Sequence, residues 1–148
     1  MRALCFLLLA TFVAHASTVN VYVFWGEGCP HCAKELEFLH KLSQKYPIKV
    51  KQYEIYRSPE NRSLFEKFVK AYNVSPPYGV PTTFVGEDYL VGYGIDEMGG
   101  KAIEKMVLKC INYGCVDKGK DLVPEEETPG FCGVAAITSL LLLLLRRR

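Results

Sequence analysis

Alternating apolar and polar runs in the first half of the chain predict strands and helices in turn. Val19 to Trp25 is apolar and rich in β-branched and aromatic residues, which indicates a buried strand. From Pro30 to Tyr46 the apolar residues recur at helical spacing, and a proline suits the first turn of a helix. Ile48 to Tyr56 begins with apolar–polar alternation, which predicts a second strand. A second helix is expected from Ser58-Pro59, a capping residue followed by a proline. The apolar stripe of the first helix is expected to consist of Leu36, Leu39, Leu42 and Tyr46.

The second half of the sequence adds a hairpin and one more helix. Pro81 to Val85 and Tyr89 to Gly92 flank Gly86-Glu87-Asp88, which predicts two antiparallel strands around a turn. The last helix is expected within Ile95 to Ile111, with its true start near Lys101 because two glycines come early in that range. These elements predict an α/β fold in which a mixed four-stranded sheet is flanked by helices on both faces.

The two ends of the chain have the composition of targeting segments. Residues 1–16 combine a basic start, an apolar run and Ala14-His15-Ala16, which is typical of a cleaved signal peptide. Residues 131–148 are apolar and end in three arginines, so we expect a membrane anchor with a cytoplasmic basic end. A cleaved lipid-anchor signal, or the first span of a longer membrane protein, would also fit this run. Residues 116–130 are charged and contain prolines, which predicts a solvated linker, so the domain is expected to span residues 17–115 on the extracytoplasmic side.

The charge of the chain excludes one broad class of partner. The formal net charge is +2, but Arg2 and Arg146 to Arg148 belong to the targeting segments. Without these four residues, the 16 acidic side chains outnumber 14 basic ones. No basic patch remains, so we expect no binding to nucleic acid.

Four of the six cysteines lie outside the first strand–helix junction. Cys5 leaves with the signal peptide. Cys110 and Cys115 flank a short turn-like stretch, and in an exported protein they are predicted to form a structural disulfide, with a second redox centre as the alternative. Cys132 is left over and is free, palmitoylated or paired with another chain. A zinc site would need two further ligands close to the two cysteines of that junction, and the sequence has no second clustered pair near them. No metal site is therefore predicted.

Cys29-Pro30-His31-Cys32 lies directly after the first predicted strand and at the start of the first helix. Two cysteines at this spacing can close a small disulfide at a helix N-terminus. The free N–H groups and the helix dipole stabilise a thiolate there, and a thiolate is the species that attacks disulfides. The motif therefore predicts thiol–disulfide exchange rather than a purely structural cross-link.

Two segments together resemble the thioredoxin/glutaredoxin superfamily. They are Trp25 to Cys32 and, later in the chain, Gly79-Val80-Pro81-Thr82. The chain is similar to small exported thioredoxin-like domains attached to membrane segments, over about Val19 to Ile111. This resemblance implies a thioredoxin-like fold.

The resemblance also implies roles for individual residues. Cys29 would be the attacking thiol and Cys32 the resolving one. Pro81 would be a cis-proline beside the disulfide and would leave the backbone of Val80 free to pair with a substrate strand. An ordinary proline at the start of a strand would give the same sequence. Trp25 would shield the disulfide, or simply cap the core.

The tetrapeptide itself is similar to that of the bacterial periplasmic disulfide oxidase. A positive or polar imidazole at His31, which follows Pro30, favours the Cys29 thiolate and makes the disulfide more oxidising. A passive, exposed His31 is the alternative.

The chain departs from these families in two ways. Too few residues separate Tyr56 from Pro81 for the helical domain that the periplasmic oxidases insert there. Val23 stands where thioredoxins have a buried aspartate. Glu27 and Glu35 are nearby acids, and we expect both to be solvated.

The sequence therefore predicts a membrane-anchored protein thiol–disulfide oxidoreductase in an oxidising, extracytoplasmic compartment. Its partners would be protein dithiols and disulfides, and we expect no cofactor and no metal. Three alternatives stay open: a reductase fed by a membrane electron-transfer partner, as in cytochrome c maturation; a glutaredoxin-like domain; and a non-catalytic client-binding domain.

Overall fold

Seven regular elements and one short turn of 3₁₀ helix make up the described part of the computed structural model, residues 18–94 and 98–124. In chain order they are β1 (Val19–Trp25), α1 (Pro30–Lys45), β2 (Ile48–Glu54), α2 (Pro59–Ala71), β3 (Thr82–Val85), β4 (Asp88–Val91), α3 (Met98–Tyr113) and the 3₁₀ turn Lys120–Leu122. The predicted order of strands and helices is confirmed.

The strands form one mixed sheet in the order β2-β1-β3-β4. β1 runs parallel to β2 and antiparallel to β3, and β3 and β4 form the hairpin. Because of these directions, Trp25, Glu54, Thr82 and Val91 all lie at one end of the sheet, which we call the Trp25 end. Val19, at the start of β1, marks the opposite end, the Val19 end.

β1 is buried on both faces, which explains its continuous apolar sequence. Val19, Val21 and Val23 pack against α1 and α3 in one core cluster. Tyr22 and Phe24 point to the other face, where Phe24 lies with its ring centroid 5.0 Å from that of Phe68 in α2. Fully burying a side chain of this size contributes about 2–3 kcal/mol. The thioredoxin-like α/β fold, with helices on both faces of a mixed sheet, is confirmed.

The start of α3 differs from the sequence prediction. The helix is described from Met98 rather than from near Lys101. Gly99 and Gly100 are buried within it, and a Cβ on Gly100 would lie 2.9 Å from the ring of Phe38. The two glycines therefore allow close packing of the helix against its neighbours instead of delaying its start.

The chain beyond Cys115 stays in contact with the domain. Asp117 Oδ2 accepts hydrogen bonds from Asn20 Nδ2 (2.8 Å) and from the hydroxyl of Tyr22 (3.0 Å). Leu122 and Val123 pack against the core cluster on the α2 face of the sheet, which includes Tyr22, Phe24 and Phe68. The sequence placed residues 116–130 in a solvated linker, whereas the part from Asp117 to Val123, here called the C-terminal segment, is packed on the sheet.

Several sequence predictions concern residues outside the described part. They are the signal peptide at residues 1–16, Cys5, the rest of the linker from residue 125, Cys132 and the anchor at residues 131–148. Among residues 18–94 and 98–124, no helix combines the length and apolar character that crossing a membrane requires.

Candidate active site

Cys29 and Cys32 form a disulfide at the start of α1, with their Cα atoms 5.3 Å apart. Cys29 is the N-cap residue, and its Sγ accepts a hydrogen bond from the backbone N–H of Cys32 at 3.2 Å. Pro30 occupies the first helical turn, where its missing N–H costs no helical bond. No acidic residue lies in the first turn of α1 to oppose a negative charge there. The end of the helix can therefore stabilise a thiolate at Cys29.

The two cysteines differ in their exposure to solvent. Cys29 is partly exposed and lines a cavity of about 260 Å³ together with Trp25, Gly28 and Pro30. Cys32 is only 1% exposed. An incoming thiolate can thus reach Cys29 but not Cys32, which is the asymmetry expected of an attacking and a resolving cysteine.

The loop before Cys29 depends on a glycine. Gly28 has φ +79°, a left-handed conformation that other residues rarely adopt. The N–H of Cys29 donates to the carbonyl of Gly26 at 3.2 Å and closes this turn. The turn brings the chain from the end of β1 to the N-terminus of α1.

The loop before β3 lies at the same end of the sheet. The Val80–Pro81 peptide bond is cis, as the resemblance implies. Val80, Pro81 and His31 line one cavity of about 610 Å³, which extends along β4 to the exposed side chain of Met98. The structure thus brings the three predicted residues together, while Trp25 lines the separate cavity beside Cys29.

His31 and Trp25 keep their predicted roles as hypotheses. His31 is exposed on the first turn of α1. The indole Nε1 of Trp25 is buried, and no hydrogen-bond partner for it exists among the described residues. Either the indole shields the disulfide or it caps the core, and its position fits both interpretations.

The prediction that Glu35 is solvated is wrong, because the residue is only 1% exposed. The hydroxyl of Thr83 donates a hydrogen bond to its carboxylate. Burial raises the pKa of Glu35 to about 7, although the bond from Thr83 lowers it. Glu27, in contrast, is exposed as expected and pairs with Arg57 at 2.8 Å.

The position of Glu35 relative to the cysteines follows from helix geometry. It lies three residues after Cys32, so the two side chains are neighbours on the same face of α1. Thr83 is the cross-strand partner of Val23 in β1. α1 thus supplies a buried acid whose hydrogen-bond donor, Thr83, pairs with Val23 across the sheet. The signal in the sequence was the spacing, because Cys32, Glu35, Leu39 and Leu42 form the buried stripe of this helix.

Cys110 and Cys115 form the predicted second disulfide, at the Val19 end of the sheet. Cys110 is buried, and both sulfurs lie against Gly86 in the β3–β4 turn. β1, seven residues or roughly 20 Å long, separates this bond from Cys29. Within the described ranges, no group of His, Cys, Asp or Glu side chains is arranged to hold a metal ion.

No protein-family model and no curated protein matches the sequence. Several solved structures are similar to it at low identity. A protein assigned as the thiol:disulfide interchange protein DsbE of Chlorobium tepidum is 17% identical, with a TM-score of 0.47 over 65% of this chain and 82% of that one. A Schistosoma mansoni thioredoxin pre-protein is 20% identical, with a TM-score of 0.45 over 64% and 81%. A glutaredoxin from Archaeoglobus fulgidus is 22% identical, with a TM-score of 0.43 over 60% and 86%.

Proposed function

We propose that this domain is a protein thiol–disulfide oxidoreductase that exchanges electrons through Cys29 and Cys32. The observation that carries the proposal is the asymmetry of the disulfide. Cys29 is partly exposed at the N-terminus of α1, and Cys32 is buried on the first turn of the same helix. A purely structural cross-link needs neither the exposed sulfur nor the thiolate-stabilising helix end.

The exchange begins with a thiolate of the substrate attacking Sγ of Cys29. A substrate–Cys29 disulfide forms, the Cys29–Cys32 bond breaks, and its electron pair goes to the sulfur of Cys32. A second substrate thiolate then attacks the substrate sulfur of the mixed disulfide and releases the Cys29 thiolate. The substrate leaves oxidised and the protein is reduced by two electrons. The reverse sequence reduces a substrate disulfide.

Glu35 supplies a carboxyl group that can exchange a proton with the buried Cys32 during this reaction. Cys32 must become a thiolate before it can release a mixed disulfide, and it must take up a proton when the reaction runs the other way. A carboxyl group with a pKa of about 7 on the next turn of the helix exists in both protonation states near neutral pH. Glu35 therefore acts as the general base or acid for Cys32, directly or through one water molecule.

The cavity formed by Val80, Pro81 and His31 is the proposed binding site for the substrate segment that flanks its cysteine. Its walls are mainly apolar, with Leu90 and Met98 among the lining residues. An extended peptide placed there would hold its sulfur near Cys29. Trp25 would shield the disulfide from the other side.

We also propose that the domain works in an oxidising, extracytoplasmic compartment, attached to a membrane by residues 131–148. The signal-like residues 1–16 and the basic end of the chain support this location. The disulfide between Cys110 and Cys115 supports it as well, because such bonds persist mainly in oxidising compartments.

The test of the exchange reaction compares single cysteine variants. Cys29→Ser should abolish the oxidation of a reduced model protein and the reduction of its disulfides. Cys32→Ala should accumulate a mixed disulfide with the substrate, visible by mass spectrometry. The double variant C110A/C115A, which removes two remote cysteines, is the matched control. An undiminished rate in Cys29→Ser would rule out the proposed function.

The direction of electron flow is set by the reduction potential of the Cys29–Cys32 pair. A value of about −120 mV would indicate an oxidase, and one of about −270 mV would indicate a reductase supplied by a membrane partner. Equilibration with glutathione or dithiothreitol buffers measures this value. We propose the oxidase direction, on the basis of the thiolate-stabilising position of Cys29.

A further inference from the structure

Two turns lie side by side at the Trp25 end of the sheet. β1 and β2 are parallel and end at the paired residues Trp25 and Glu54. The turn that carries Cys29 follows β1, and residues 55–58 follow β2. The N–H of Ile55 donates to the carbonyl of Trp25 at 2.9 Å, so the first residue of the second turn is held to the end of β1.

The carboxylate of Glu54 joins these two turns through backbone N–H groups. Its Oε1 accepts from the N–H of Glu27 at 3.2 Å and from that of Tyr56 at 2.8 Å. Its Oε2 accepts from the N–H of Arg57 at 2.9 Å. One side chain thus holds the turn that precedes Cys29 against the turn that precedes α2.

Two further contacts connect the same turns. A Cβ on Gly26 would overlap the ring of Tyr56, so the ring lies directly on the backbone of the Cys29 turn. Arg57 and Glu27 form an ion pair at 2.8 Å, but both side chains are largely exposed, and such pairs contribute little. The bonds to Glu54 are therefore the main polar connection.

The ionisation of Glu54 agrees with this geometry. Burial raises its pKa, but the backbone N–H groups of Arg57, Tyr56, Glu27 and Ser58 outweigh burial, and the pKa lies below its ordinary value. The carboxylate is charged at neutral pH and can accept several hydrogen bonds at once.

We propose that Glu54 is a positioning residue for Cys29. It fixes the Gly26–Cys29 turn so that the Cys29 sulfur stays at the N-terminus of α1, where the N–H of Cys32 and the helix dipole stabilise its thiolate. This inference rests on the proposed function, because it concerns the reactivity of the attacking sulfur. Without the carboxylate, the backbone N–H of Glu27 loses its hydrogen-bond acceptor, and the turn is held less firmly.

Because Glu54 is negatively charged, the direction in which its removal shifts the pKa of Cys29 tests the inference. As a charge alone, Glu54 would disfavour a nearby thiolate, so removing it would lower the pKa of Cys29. As a positioning group, it favours the thiolate, so removing it raises that pKa. The two roles predict opposite shifts.

The experiment uses the reduced protein and three variants. The alkylation rate of Cys29 by iodoacetamide is followed by peptide mass spectrometry as a function of pH. E54Q removes the charge, and E54D keeps the charge but shortens the reach to the backbone. E27Q is the control, because it removes a charge from the same turn and leaves the backbone N–H in place. Two other basic residues near this turn, Arg57 and His31, are kept in all three variants.

Positioning predicts that the pKa of Cys29 rises in both E54Q and E54D, by about half a unit, with alkylation roughly threefold slower below the pKa. E27Q should leave this pKa unchanged or lower it. A fall in E54Q with no change in E54D would overturn the inference in favour of a charge effect, and no shift in either variant would overturn it as well. If E54Q does not fold, E54D carries the test alone.

The readout is independent of protein substrates. A wild-type protein that alkylates normally but exchanges no disulfides refutes the proposed function, not the positioning role.

Discussion

The hydroxyl of Thr83 in β3 donates a hydrogen bond to the carboxylate of Glu35 in α1, and both side chains are buried. This contact crosses from the helix that carries the two cysteines to the sheet beneath it. It fixes an acid whose pKa is raised to about 7 on the same helix face as Cys32. Two predictions depend on it.

Replacing Glu35 with glutamine should slow the steps in which Cys32 gains or loses a proton. General acid–base catalysis contributes about 10²–10⁴-fold, and we expect a loss near the lower end because water can substitute in part. The change near pH 7 in the pH profile of mixed-disulfide release should disappear. Stopped-flow kinetics with a model substrate measures both effects. Glu37→Gln, on the exposed face of the same helix, is the control, and an unchanged pH profile in E35Q would exclude the proton-transfer role.

The same substitution should stabilise the oxidised protein at neutral pH. The pKa of Glu35 is raised on folding from 4.5 to about 7, so the folded state holds the proton more tightly. The free energy of unfolding therefore falls as pH rises from about 4.5 to about 7, by up to about 3 kcal/mol. The glutamine side chain of E35Q does not titrate, so this pH-dependent change in the free energy of unfolding should be absent from the variant. Urea denaturation followed by circular dichroism at pH 4.5, 6 and 8 measures the difference between the two proteins. A constant difference across this range would show that Glu35 is already ionised in the fold.

Removing the second disulfide should affect stability but not exchange. In C110A/C115A the short loop between the two positions is no longer closed, and the free energy of unfolding should fall by roughly 2 kcal/mol. The exchange rate at Cys29 should stay within error of the wild type, because β1 separates the two disulfides. Denaturant midpoints test the loss of stability, and the model-substrate assay tests the unchanged exchange rate. A loss of exchange comparable to that of Cys29→Ser would instead identify a second redox centre.

The C-terminal segment should come away from the domain when Gly119 is enlarged. A Cβ there would lie 2.5 Å from the ring of Tyr22 and 2.8 Å from that of Phe68, both buried. Gly119→Ala is therefore expected to lower the free energy of unfolding by about 1–3 kcal/mol. Hydrogen exchange within Asp117 to Val123 should accelerate. Gly79→Ala, where a Cβ meets nothing within 4 Å, is the matched control, and equal effects of the two substitutions would contradict this account.

The parts of the fold that sequence patterns predicted are those with local causes. β1 was predicted with its observed bounds because a strand buried on both faces must be apolar throughout. The N-cap at Ser58 followed by a proline set the start of α2, and the hydroxyl of Ser58 accepts from the N–H of Asn61 at 3.2 Å. Such signals depend on a few neighbouring residues.

The parts that were not predicted depend on distant partners. Asp117 looks like a linker residue until Asn20 and Tyr22, far back in the chain, are placed beside it. Glu54 gains its role only when β1 and β2 pair and bring Glu27 within reach. Glu35 is intermediate, because its helical spacing from Cys32 and Leu39 is a local signal, whereas its hydrogen bond from Thr83 depends on the packing of α1 against the sheet.

The sequence contains a single tryptophan, and that residue lines the same cavity as Cys29. Disulfides quench indole emission at short range, so the intrinsic fluorescence of the protein should change when the bond opens. The domain thus carries its own optical reporter of redox state, and its equilibration with any candidate partner can be followed without a label.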